Sequence, residues 1–129
     1  MPMAERPAPS TKPIADKLLL KPGMRGAILN APAGYIERLG AHVEQQLDGA
    51  FDFIQMFATR RAELLSEADR LRQAMAPNAL LWVSYPKGKA LPTDLNRDVV
   101  RTTLAEAGLE VVSQVAVDEV WSALRAKRV

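Results

Sequence analysis

Two mostly apolar runs with an amphipathic segment between them constrain the fold of this chain more than any other feature. Phe51–Ala58 reads Phe-Asp-Phe-Ile-Gln-Met-Phe-Ala, and Ala79–Tyr85 reads Ala-Leu-Leu-Trp-Val-Ser-Tyr. Such runs are strands covered on both faces, because a strand with one wet face alternates instead. Between them, Leu64, Ala68, Leu71 and Met75 recur at steps of four, three and four. That spacing is one stripe of a helix over Arg60–Met75. Thr59 is its expected cap and Pro77–Asn78 its expected stop. Strand, helix and strand in this order predict a parallel crossover.

The rest of the chain extends the pattern. Ile14–Leu20 reads as a short helix ended by Pro22-Gly23, and Arg25–Asn30 as a strand around Ala27, Ile28 and Leu29. A turn over Ala31–Gly34 leads to a helix over Tyr35–Leu39, stopped by Gly40. Ala41–Gln45 reads as a weaker strand. Pro86–Pro92 is a basic loop. The next helix is expected to be capped by Thr93 or Asp94 and to run to Ala107 on a face of Leu95, Val99, Val100, Leu104 and Ala107. Glu110–Val117 and Val120–Ala126 are two final strands. Their joint at Asp118–Glu119 is too short for a crossover, so they form an antiparallel hairpin. The expected fold class is therefore α/β: a Rossmann-like three-layer sandwich whose mostly parallel sheet ends in an antiparallel strand pair. Residues 1–13 hold Pro2, Pro7, Pro9 and Pro13 and no apolar period, which predicts a disordered tail; residues 14–129 are a single domain.

Composition removes several chemistries. The 129 residues include no cysteine and one histidine, His42, so thiolate sites, disulfides and histidine metal clusters are excluded. Lys and Arg number 17 against 15 Asp and Glu, a net charge of only +2, which weighs against a nucleic-acid partner. No apolar run approaches the roughly 18 residues of a membrane span. Met1–Pro13 has no apolar signal core, so the cytoplasm is the expected location. Ser10, Ser66, Ser84, Ser113 and Ser122 lack the glycines of a nucleophile elbow. No catalytic residue, metal site or cofactor is assigned on these grounds.

A Rossmann-like sheet closed by an antiparallel pair resembles the class I, S-adenosylmethionine-dependent methyltransferases. Phe51–Phe57 resembles their fourth strand and Ala76–Val83 the turn and fifth strand. More closely, the chain resembles a family of short bacterial proteins of unknown function with a truncated methyltransferase-like domain. The segments that carry this are Leu-Asn-Ala-Pro-Ala-Gly-Tyr at 29–35, Ser-Tyr-Pro-Lys at 84–87 with Thr-Asp-Leu-Asn-Arg-Asp at 93–98, and Trp-Ser-Ala-Leu-Arg at 121–125. The resemblance covers the chain from about Leu20 onward and implies a fold without an activity. The enzymes follow their first strand with an acidic residue and a glycine-rich turn. Here Asn30 stands at the acidic position and the turn keeps only Gly34, while Pro32 crowds the approach that glycines allow. Their third strand is missing.

Ligands of open parallel sheets bind beyond the carboxyl ends of the strands, at the point where strand order reverses. The expected ligand rim is therefore Asn30, Pro32, Gly34, Tyr35, Thr59, Tyr85 and Lys87, with Lys89, Thr93 and Arg97 as anion contacts at the following helix. Against this, Asn30 and Pro32 also serve simply to shape a tight turn, and Asp94 and Asp98 would repel a phosphate. Arg125 is expected to stack on an aromatic ring or to pair with Asp98 or Asp118, and His42 to lie on the surface.

Three functions are carried forward. The leading one is a non-catalytic binding or interaction module with a degenerate cofactor site, its partner a small ligand or a protein. The alternatives are a minimal S-adenosylmethionine- or nucleotide-dependent enzyme, and a nucleic-acid binder using Arg60, Arg61, Lys87, Lys89, Arg97 and Arg101. The Ala41–Gln45 strand is an expected sheet edge, covered by its own Glu44 and His42 or by a second copy in a homodimer.

Overall fold

The computed structural model describes residues 12–88 and 90–129. Its elements in chain order are α1 (Ile14–Lys17), β1 (Gly26–Leu29), α2 (Tyr35–Leu39), β2 (Phe51–Phe57), α3 (Arg61–Gln73), β3 (Met75–Pro86), α4 (Arg97–Glu106), β4 (Leu109–Ala116) and β5 (Trp121–Arg128). The strands form one sheet in the order β1-β2-β3-β5-β4. β1, β2 and β3 run parallel, and β5 is antiparallel to both β3 and β4. This is the expected mixed sheet.

Side-chain alternation splits the core into two layers. Ile54 and Met56 of β2, Leu81 and Val83 of β3, and Leu124 of β5 pack with Leu64 and Leu71 of α3 and Val100 and Leu104 of α4. Their neighbours Phe53 and Phe57, Leu80 and Trp82, and Trp121 and Ala123 pack on the other face, with Leu18, Leu20, Tyr35 and Leu39 from the α1–α2 side. Both runs that opened the sequence reading are thus covered on both faces, which is why they carry no alternation.

Several expectations need correction. Ala41–Gln45 is not a strand. It makes one isolated parallel bridge, Glu44 to Ala27, through Ile28 N–H to the Glu44 carbonyl at 2.8 Å and Glu44 N–H to the Gly26 carbonyl at 2.9 Å. Arg25 fastens the segment at two points: it makes a two-pronged ion pair with Glu44 at 2.7 and 3.0 Å and donates to the Ala50 carbonyl at 3.1 Å. The Arg25 amide also donates to Asp52 at 2.9 Å, and its guanidinium lies 4.0 Å from the centre of the Phe51 ring. A carboxylate and a carbonyl held at one end of β1 leave no length for a second edge strand.

The helix over Arg60–Met75 ends earlier, at Gln73, and Met75 already pairs with Phe51. Pro77–Asn78 do not stop the helix. They lie in a bulge of β3 between that pair and the continuous register from Leu80 opposite Phe53, with Asn78 left-handed at φ 64°. α1 is also shorter than expected. It closes with Leu19 at φ 64°, where Leu20 N–H reaches back to the Ala15 carbonyl at 2.9 Å and Leu19 N–H to that of Asp16. This is a Schellman turn with leucine in glycine's place.

The caps differ too. Asn96, not Thr93 or Asp94, caps α4, accepting from Val99 N–H at 2.9 Å. Asp94 instead accepts the Arg61 amide of α3 at 2.7 Å. At Thr59 it is the backbone amide that matters. It and the Arg60 amide donate to Glu63, at 2.9 and 3.1 Å. The tail expected over residues 1–13 falls almost wholly outside the described residues. No helix among those described is long and apolar enough to cross a membrane.

Candidate functional site

The Glu44 bridge lies on one edge of β1 and β2 on the other, so strand order reverses at β1. A ligand of such a sheet is expected beyond Leu29 and Phe57, the carboxyl ends of β1 and β2. Asn30 sits at that point in a left-handed conformation, φ 59°, which asparagine tolerates better than most residues. Its Nδ2 donates to the Phe57 carbonyl at 3.4 Å, so the side chain reaches across the mouth of the crevice. Pro32 accepts the Tyr35 amide at 3.0 Å, closing the turn. Gly34 has φ 80° with open space where a Cβ would stand. Its freedom serves the turn itself rather than a close approach to another group.

Tyr35 does not stand on the rim. It is fully buried beneath it, and its hydroxyl donates to Gln55 Oε1 at 2.8 Å. Gln55 Nε2 in turn donates to Ser84 Oγ at 2.9 Å, tying α2, β2 and β3 together. The Tyr35 ring meets Phe57 edge-on at 4.6 Å between centres, and Phe57 meets Trp121 edge-on at 4.9 Å. Burial pushes the Tyr35 hydroxyl up to about 12, against a smaller opposing effect of its bond to Gln55. Tyr85 lies in the other layer, with Leu95 and Val100, so the two tyrosines are on opposite sides of the sheet. Burial raises Tyr85 as well, and nearby Arg97 and a bond to Ser122 pull the other way.

The remaining rim groups also have partners within the chain. Thr93 Oγ1 donates to the Thr59 carbonyl and accepts Leu95 N–H at 3.0 Å. The Lys87 amide donates to the Val120 carbonyl at 2.9 Å. Lys87 and Arg97 make no ion pair among the described residues, while Lys89 lies outside them. Asp118 is more than a turn residue: it accepts Val120 N–H at 2.8 Å and Trp121 N–H at 2.9 Å, and it pairs with Arg38 at 3.1 Å. Burial alone would raise the Asp118 carboxyl. The two amides and Arg38 outweigh burial and hold it below its usual value. Among the described residues Arg125 makes no ion pair and lies over no aromatic ring; Asp98 pairs with Arg101 and Asp118 with Arg38. His42 is exposed, and no group of acidic and histidine side chains among the described residues could hold a metal.

Sequence reasoning missed Gln55 and Ser84. The available signal was a single uncharged polar residue inside each of the two apolar runs, since buried polar groups need partners and these two share one.

Comparison with solved structures bears on the fold. A ribosomal-protein methylase from Lactobacillus delbrueckii subsp. bulgaricus superposes with a TM-score of 0.62 at 14% identity, covering 89% of this chain and 74% of its own. A putative methyltransferase from Thermoplasma acidophilum superposes at 0.60 with 10% identity, covering 94% and 76%. The chain has a methyltransferase-like Rossmann fold. A structure of LepI in complex with SAM matches at 0.58 with 13% identity, covering 90% of this chain but only 39% of LepI. No protein-family model matches the sequence, and no curated protein matches it.

Proposed function

We propose that this methyltransferase-like fold serves as a non-catalytic binding or interaction module with a degenerate cofactor site. The supporting observation is the Asn30 side chain across the crevice between β1 and β2, directed at the Phe57 carbonyl. Two further features agree with it. Pro32 and the methyl groups of Ala31 and Ala33 occupy a turn where glycines would let a nucleotide approach the backbone. Glu44, the acidic residue that bridges β1, is held by Arg25. These residues fit an adenosyl cofactor poorly, and no chemical step is built on one.

The test is a thermal melt and calorimetric titration with S-adenosylmethionine, S-adenosylhomocysteine and ATP. A ligand at about a hundred times its Kd stabilises a protein by about 2.7 kcal/mol, so even weak binding is visible at millimolar concentration. No shift is expected. A saturable shift that grows in Asn30→Asp overturns the proposal and supports a minimal enzyme, the reading favoured by the likeness to LepI with SAM. The unpaired Lys87 and Arg97 favour a third reading, nucleic-acid binding. That reading requires affinity that falls steeply with salt.

A further inference from the structure

A wide concavity lies at the other end of the sheet. A groove of about 650 Å³ lies between the segment after α1 and the end of α2, next to the start of β1. Its wall is apolar: Ala15, Leu20, Met24, Leu39 and Ala41. Two features of the chain create it. The Schellman turn at Leu19 sends Leu19 outward, 42% exposed, and turns Leu20 inward to 8%. The segment after α2 touches the free edge of β1 only at Glu44, which Arg25 fastens by an ion pair, so no edge strand follows the α2 end.

The volume is within the range of small-molecule sites, which are mostly apolar with a few polar groups at the mouth. The charged residues here are Asp16, Lys21, Arg25 and His42. Arg25 is neutralised by Glu44. Lys21 makes no ion pair among the described residues and is exposed in the groove's lining, which also holds one carboxylate, Asp16. The lining thus offers a lysine without an ion pair, a histidine and one carboxylate to an occupant whose body must be apolar.

We infer that this groove binds a small lipophilic anion, an aromatic or short-chain aliphatic carboxylate. The apolar body rests on Leu20, Met24 and Leu39, and the carboxylate faces Lys21. The site is separate from the carboxyl-end rim, so its failure leaves the proposed function untouched, and the reverse also holds.

The experiment compares three probes with one ring system: naphthoate, naphthylmethanol and naphthylmethylammonium, titrated into the whole chain and followed by NMR. Naphthoate is expected to shift the methyl resonances of Leu20, Met24, Leu39 and Ala41 saturably. Its affinity should exceed that of the ammonium probe roughly tenfold, the scale of one charge pair at a wet surface. Lys21→Glu should erase or reverse that preference. Ala41→Phe, which fills the groove, should abolish the shifts while leaving the rest of the spectrum folded. Equal affinity for all three probes overturns the inference, as do shifts that survive in a folded Ala41→Phe protein. If that variant unfolds, Ala15→Phe replaces it from the α1 side.

Discussion

The Tyr35 hydroxyl donates to Gln55 Oε1 at 2.8 Å in a place with no solvent, and Gln55 passes the chain of bonds on to Ser84. Beneath the switch point of the sheet, side chains from α2, β2 and β3 are therefore locked into one polar network. Around it, Phe57 and Trp121 exclude water. A fully satisfied buried network rigidifies its surroundings, and leaving one member unpaired is costly.

Tyr35→Phe keeps the ring and strands the Gln55 oxygen, so it should cost about 1–3 kcal/mol in urea denaturation at neutral pH. The wild-type protein should also lose stability in alkali. The folded value of about 12 lies above the ordinary 10.0, so the stabilisation is complete below 10.0 and is lost as pH rises toward 12. Tyr35→Phe should flatten that alkaline slope. An unchanged slope would mean another group controls it.

The Arg25 side chain ties Glu44 and Ala50 of the shortened connection to Phe51 of β2, so Arg25→Ala should lower the denaturation midpoint and speed hydrogen exchange at the Ile28 and Glu44 amides. Arg25→Lys should not restore protection, because an ammonium cannot engage Glu44 with two prongs while reaching the Ala50 carbonyl. Full rescue by lysine would show that charge alone suffices.

Asp118 holds the β4–β5 turn and ties it to α2 through Arg38. Asp118→Ala should cost about 1.5–3 kcal/mol, the scale of hydrogen bonds to a charged group. With its carboxyl held below the usual 3.8, its contribution is present above that value and fades as pH falls through the lower folded value. Acid titrations of wild type and Asp118→Asn should converge at the lowest pH. Curves that stay parallel throughout would count against the assignment.

Trp82 Nε1 donates to the Leu18 carbonyl at 2.9 Å and so pins the end of α1 to the sheet. Trp82→Phe should leave that carbonyl unpaired at a cost of about 1–3 kcal/mol. Proteolysis between Leu18 and Met24 should quicken more than elsewhere in the chain. Uniform sensitivity would mean that other contacts hold α1.

The sequence by itself determined the framework: a strand–helix–strand unit around Phe51–Ala58 and Ala79–Tyr85, and a terminal antiparallel pair. Those elements are written in hydrophobic period and turn length, which are local. It also marked Ala79–Tyr85, Trp82 included, as a strand covered on both faces. Only the tertiary structure decided the rest, because each remaining feature depends on a partner far away in the chain. Ala41–Gln45 has strand-like residues but makes only the Glu44 bridge, held by Arg25. Asp94 looks like the cap of its own helix, yet satisfies an amide of α3, 33 residues back. Arg38 and Asp118 meet across 80 residues. Tyr35 opens α2 and Tyr85 stands near the end of β3, both toward one end of the sheet, yet they lie on opposite faces. A side chain's face depends on pleat and helix phase, and its burial depends on which aromatic neighbours arrive from other strands.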